Sequence, residues 1–239
     1  MQPLSKVNPN ASVTWGALDI MTSRPKVATK IAECIAEWAD VETMLGLVLA
    51  FLLDTDSKAA LAIYSSIESS SAQRRMILAA AKNKVDNERF DILSVMMSAV
   101  ITPVMKERNK LAHWCWAYSP EIPDCLLLCK PDQKMVLHLQ AVNLRRENPA
   151  VPFDMSLVYV VTEQDAGRLA DRLRVAISHV SMFMGAIWKA NSQQQRDEFL
   201  QQLSIEPQIR EGLERLNEGR RKKPATQPPS PPQDQSGEA

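Results

Sequence analysis

Hydrophobic positions recur along most of this chain at steps of three, four and seven, the spacing of helices that bury one face. Beginning at Lys26, the residues Val27, Ile31, Ile35, Trp38, Leu45, Leu49 and Leu52 share one stripe. Asp54-Thr55-Asp56-Ser57 interrupts it with side chains suited to cap a helix N-terminus. Two helices follow, over about 57–67 and 70–84, divided by Ser69-Ser70-Ser71. A longer one runs from about Asn87 to His113, with Phe90, Leu93, Met97, Val100, Val104 and Leu111 on its apolar face. Pro103 falls inside that stretch. Either it kinks a continuous helix by removing a hydrogen bond, or Thr102 caps a fresh helix with proline at its first position.

The pattern then changes. Cys125–Cys129, Lys134–Leu139 and Leu157–Val161 read as strands, with Pro120, Pro123, Pro131, Pro149 and Pro152 marking loops between them. Thr162-Glu163-Gln164-Asp165 opens another helix, with a Thr cap and acidic residues in the first turn. Leu169, Leu173, Ile177, Val180, Met184 and Ile187 form its stripe, and short helices follow over 193–203 and 206–218. Residues 1–24 show no period and are expected as a loose arm, pinned at most by Trp15; from Gly219 the Pro-rich tail is expected to be disordered. The expectation is a mainly α domain over 25–218 with a small antiparallel β-sheet inserted at about 120–161.

Composition narrows the function. The chain is 45% hydrophobic and 23% charged, with 28 basic and 28 acidic residues. Zero net charge argues against coating long nucleic acid by bulk charge, and leaves room for a local pocket that holds one or two phosphates. Cys125-x-x-x-Cys129 has no second pair, so Cys34, Cys115, Cys125 and Cys129 read as buried free thiols in a reducing cytosol rather than zinc ligands. No metal and no cofactor is called for. The N-terminus carries no signal-peptide pattern, and the longest apolar run, Met44 to Leu53, is too short for a bilayer. A soluble, cytoplasmic protein without membrane attachment is expected.

The candidate chemistry lies in Arg108-Asn109-Lys110-Leu111-Ala112-His113. A guanidinium grips phosphate with two parallel hydrogen bonds, and an imidazole moves a proton near neutral pH. Positions five apart lie about 140° apart around a helix. Arg108 and His113 therefore meet one phosphate only if His113 sits at a frayed helix end, or if a second copy supplies the partner across a two-fold axis. With RNA, His113 would take the 2′-hydroxyl proton or protonate the leaving 5′-oxygen. Arg108 would stabilise the charged phosphorane, and Asn109 would orient the imidazole or bond a phosphate oxygen.

Arg108-Asn109-x-x-x-His113 resembles the Arg-x(4–6)-His signature of the HEPN superfamily, whose nuclease members usually carry a polar residue directly after the Arg. The early helix with Ile35-Ala-Glu-Trp-Ala-Asp-Val-Glu42 and the middle helix with Gln73-Arg74-Arg75 fit the same pattern. The resemblance spans roughly residues 25–190. It implies an up-down helical bundle, a homodimer with a composite cleft, and metal-independent endoribonuclease activity of the toxin or defence type, with RNA as partner and an antitoxin protein as a further one. A non-catalytic dimer of the same fold, binding RNA, nucleotide or protein, is the alternative; a structural dimer whose Arg and His serve the interface is a third. Around the motif, Arg74 and Arg75 would extend phosphate binding or stand as solvated helix arginines. Glu42 would hold Arg108 or Arg74, or form an ordinary salt bridge. Trp114 and Trp116 would stack on a base or close the core.

Overall fold

The computed structural model describes residues 1–16, 19–147 and 154–222. The fold is mainly α with one small antiparallel sheet. In chain order the elements are β1 (Gln2–Pro3), α1 (Leu4–Val7), β2 (Thr14–Trp15), α2 (Pro25–Leu53), α3 (Ser57–Ser65), α4 (Ser70–Lys84) and α5 (Asn87–Val95). A π-helical segment, Met96–Ile101, leads into α6 (Thr102–His113), β3 (Cys115–Tyr118), β4 (Leu126–Cys129) and α7 (Pro131–Glu147). A 3-10 turn, Met155–Leu157, precedes β5 (Val158–Val161), and α8 (Glu163–Ile187), α9 (Gln193–Ile205) and α10 (Pro207–Lys222) complete the chain. No helix among the described residues is long and apolar enough to cross a membrane.

The helix boundaries follow from local chemistry. Asp56, Ser69 and Asp86 each accept a backbone N–H three residues on, at 3.3, 3.4 and 2.8 Å, and so cap α3, α4 and α5. Thr162 and Asp165 form a reciprocal capping box at the start of α8, and Ser192 and Gln195 do the same for α9. α2 ends where Asp54 turns left-handed at φ 54°. Both α2 and α8 bury a full stripe, including Ile31, Trp38, Leu45, Leu49, Leu173 and Phe183, and they pack on each other at the centre of the large core. α3 and α4 lie on α2, α9 lies on α8, and α10 lies along α5 and the π segment.

At Pro103 the helix does not restart. Thr102 keeps helical angles (φ −60°, ψ −42°), so it is not an N-cap. Pro103 has no N–H to give the preceding turn, and the chain widens into π turns just before it. The Thr102 N–H and its hydroxyl both donate to the Met97 carbonyl, the hydroxyl at 2.6 Å. Of the two openings the sequence allowed, the continuous helix is the one adopted.

The sheet has strand order β1-β5-β4-β3-β2, every pairing antiparallel. Alternation along its strands serves two cores. Leu126, Leu128 and Val161 join the large core, whereas Ala117, Leu127, Cys129, Val158 and Val160 form a small one with Leu4, Ala11 and Leu137.

Three expectations are corrected. Residues 1–24, expected as a loose arm, supply both edge strands and bury Leu4 and Ala11, so the sheet is not confined to 120–161. Lys134–Leu139 is helical within α7, not a strand; its short apolar run suits either period, and only Leu137 is fully buried. The stretch Gly219–Lys222, expected as the start of the tail, continues α10, where Arg220 grips Asp91 with two bonds at 2.6 and 2.7 Å. The remainder of the tail, from residue 223, lies outside the described residues.

Candidate functional site

The C-terminal half of α6 carries the motif. Its first half is anchored in the core by Val104, and Leu111 anchors the second, so the polar residues between them are held on a fixed rod. Arg108 is half-buried and turned toward α2, its guanidinium 5.9 Å from the centre of the Trp38 ring. Its Nη1 donates to Asn109 Oδ1 at 3.2 Å, and its Nε is buried with no acceptor. Among the described residues, no carboxylate forms an ion pair with it. His113 is the last residue of α6 and is exposed. No hydrogen bond joins it to Arg108 or to Asn109 among the described residues. Asn109, expected to orient the imidazole or meet a phosphate, accepts from Arg108 with its Oδ1.

The helix end is locally basic. Lys110 Nζ lies 5.5 Å and Lys130 Nζ 5.9 Å from the centre of the Trp114 ring, and Tyr159 meets the same indole in a tilted contact at 5.6 Å. Trp114 and Trp116 are half-buried and pack against the large core. Lys110 and Trp114 are four apart, the spacing that brings side chains together on a helix, and that is the signal by which the sequence could have disclosed this lysine.

The other residues singled out from the sequence fall elsewhere. Arg74, on α4, is half-buried; its Nη1 donates to Thr102 Oγ1 at 2.9 Å, and its Nε is buried without an acceptor. Arg75, its neighbour, is exposed. Glu42 is half-buried on α2, one turn beyond Trp38, and among the described residues it makes no ion pair or hydrogen bond with Arg108 or Arg74. Burial, and then the charge of Glu42, pushes the Tyr64 phenol above its ordinary range. Among the described residues, Glu42 holds neither arginine. His179 is buried, with Nε2 3.5 Å from Glu206 Oε2, and His138 is exposed on α7 beside the Trp15 ring. All four cysteines are free, and no group of three or more His, Cys, Asp or Glu among the described residues is placed to hold a metal ion. Burial raises the thiols of Cys34 and Cys129, each to about 11.

One feature escaped the sequence entirely. A pocket of about 280 Å³ opens between α2, α4, α6 and the π segment, with Trp38 in its wall. The same indole therefore borders the pocket and underlies Arg108. Compared with known proteins, the chain matches no family model, no curated protein and no solved structure.

Proposed function

We propose that the chain is a HEPN-like, metal-independent endoribonuclease that works as a homodimer. The observation that carries this reading is the unneutralised guanidinium of Arg108 on the same helix end as the exposed imidazole of His113. A half-buried positive charge with no carboxylate partner is costly and is relieved by an anion. Lys110 and Lys130 add positive charge beside it. Because Arg108 turns toward α2 while His113 faces solvent, a second copy of the chain supplies the missing group, so that each phosphate is held between two protomers.

In the reaction, the 2′-oxygen attacks phosphorus as its proton passes to an imidazole. The P–O5′ bond breaks, and the 5′-oxygen leaves with a proton. The products are a 2′,3′-cyclic phosphate and a 5′-hydroxyl. Arg108 stabilises charge on the phosphorane, and Asn109 fixes the guanidinium that does so. A cytoplasmic toxin or defence role, with a neutralising protein partner, belongs to the same reading.

End-labelled RNA incubated with the purified protein in excess EDTA tests it. Cleavage to cyclic-phosphate ends that disappears in His113→Ala, with the far-ultraviolet circular dichroism unchanged, is the expected result. Intact RNA after prolonged incubation overturns it. A second reading, a non-catalytic dimer that binds RNA, nucleotide or protein, is favoured by the hold that Asn109 and Trp38 keep on Arg108. RNA retained on the protein without cleavage would select it.

A further inference from the structure

We propose that the pocket between α2, α4 and α6 binds a small organic carboxylate with an aromatic or branched hydrocarbon body. Its floor is apolar, made by Trp38, Leu45, Ile77, Met97, Ile101 and Met105. Its volume, about 280 Å³, lies near the lower end of small-molecule sites and is too small for a peptide or a folded partner. Among the described residues, the charged groups that line it are Arg74 and Lys106, and no carboxylate does.

The half-buried Arg74 specifies the anion. Nη1 is committed to Thr102 Oγ1 at 2.9 Å, which fixes the plane of the guanidinium. Nε is buried without an acceptor. Nη2 makes no bond among the described residues and is the group left to meet a carboxylate oxygen. Lys106 adds a second positive charge at the rim, and the body of the ligand displaces water from the apolar floor.

The remaining wall is built to hold its shape. Gln73 Nε2 donates to the carbonyls of Tyr64 and Ile67, at 3.2 and 2.9 Å, and so ties the α3–α4 turn across the rim. Gly46 lets α3 approach α2 closely: a Cβ there would stand 2.5 Å from Leu61 Cδ2 and 3.5 Å from Tyr64. Met97, Ile101 and Thr102 come from the π segment and its junction with α6, a helix irregularity of the kind that recurs at functional sites. None of these observations depends on RNA cleavage.

Titration calorimetry on the full chain tests the proposal with 1-naphthoate and its neutral counterpart 1-naphthalenemethanol. We expect sub-millimolar binding of the acid, at least about tenfold tighter than the alcohol. Arg74→Gln should bring the acid down to the affinity of the alcohol, and Met105→Trp, which fills the floor, should abolish both. If Arg74→Gln fails to fold, the exposed Lys106→Glu supplies the charge test and should weaken the acid alone, by about threefold or more. Equal affinity for acid and alcohol, acid binding unchanged in Met105→Trp, or no binding by the folded parent up to about 5 mM overturns the assignment.

Discussion

Arg174 and Arg108 carry the same charge in opposite settings. On the outer face of α8, Arg174 is ringed by acid: Nε bonds Glu37 at 2.8 Å, Nη1 bonds Asp171 at 3.0 Å and Nη2 reaches Glu33 at 3.4 Å. Arg89 is similarly matched, held by Asp86, by Asp197 at 3.0 Å and by the Ala186 carbonyl at 3.2 Å. Arg108 and Arg74, which face α2 and the pocket beside it, have only neutral partners and an orphaned Nε each among the described residues. Arg24 also has an orphaned Nε, but it spends its other donors on Ser23 and the Ser119 carbonyl and lies over Tyr118, stitching α2 to β3. A guanidinium that the fold itself neutralises is part of the scaffold. One that the fold buries and leaves open is held ready for an anion from outside.

The sharpest way to break this contrast is to remove the open charges. His113→Ala and Arg108→Ala should each lower RNA cleavage by about 10²–10⁴-fold. Arg108→Ala should leave urea stability within about 1 kcal/mol of the parent, since the bond it loses is to its own neighbour. A collapse of stability in that variant would mark Arg108 as scaffold and remove the distinction. Arg89→Ala should do the reverse. It loses three partners around a side chain only 14% exposed, and should destabilise by about 1–3 kcal/mol in urea while the folded fraction cleaves RNA like the parent. Arg174→Ala removes bonds that are largely in solvent. Its cost should stay below about 1 kcal/mol and shrink further in high salt.

The smallest expected effect concerns an acid satisfied without any cation. Glu121 accepts from Ser119 Oγ at 2.6 Å and from Ser12 Oγ at 2.9 Å, and these bonds, that from Ser119 foremost, lower its carboxyl to about 2. A lowered folded-state pKa stabilises above the ordinary value of 4.5 and loses that contribution as pH falls toward 2. The protection of amides near Ser12, relative to their intrinsic exchange rate at each pH, should therefore fall across that acidic window. Protection that does not change between pH 5 and 2 would show that the bond does not hold the segment.

Much of the helical scaffold was legible because each boundary has a local cause. Asp56, Ser69 and Thr162 sit where a cap is needed, and Ile31, Leu45, Leu173 and Val180 keep the period of a buried face. The misreadings fall where local signals are thin. Two residues per strand, as in Gln2–Pro3 and Thr14–Trp15, are too few to establish a period, and long-range pairing with β5 and β3 decides them. Lys134–Leu139 spans barely two helical turns with apolar residues on several sides. In the candidate site, the place of His113 at a helix end was legible, whereas the strand that starts at Cys115 was not. Nor was the attachment of Arg108 to Trp38, seventy positions away, because it depends on how α2 and α6 are turned toward each other.

That rotation depends on the π segment. Each such widening adds a residue to a helix without adding a turn, and one residue corresponds to about 100° of azimuth. Wound as a regular α-helix from the same residues, Met96–Ile101 would swing everything downstream by about that angle. Arg108 would then leave the indole, and Met105 would leave the pocket wall, in a single step. A backbone irregularity seven residues before the guanidinium thus acts as the dial that aims it.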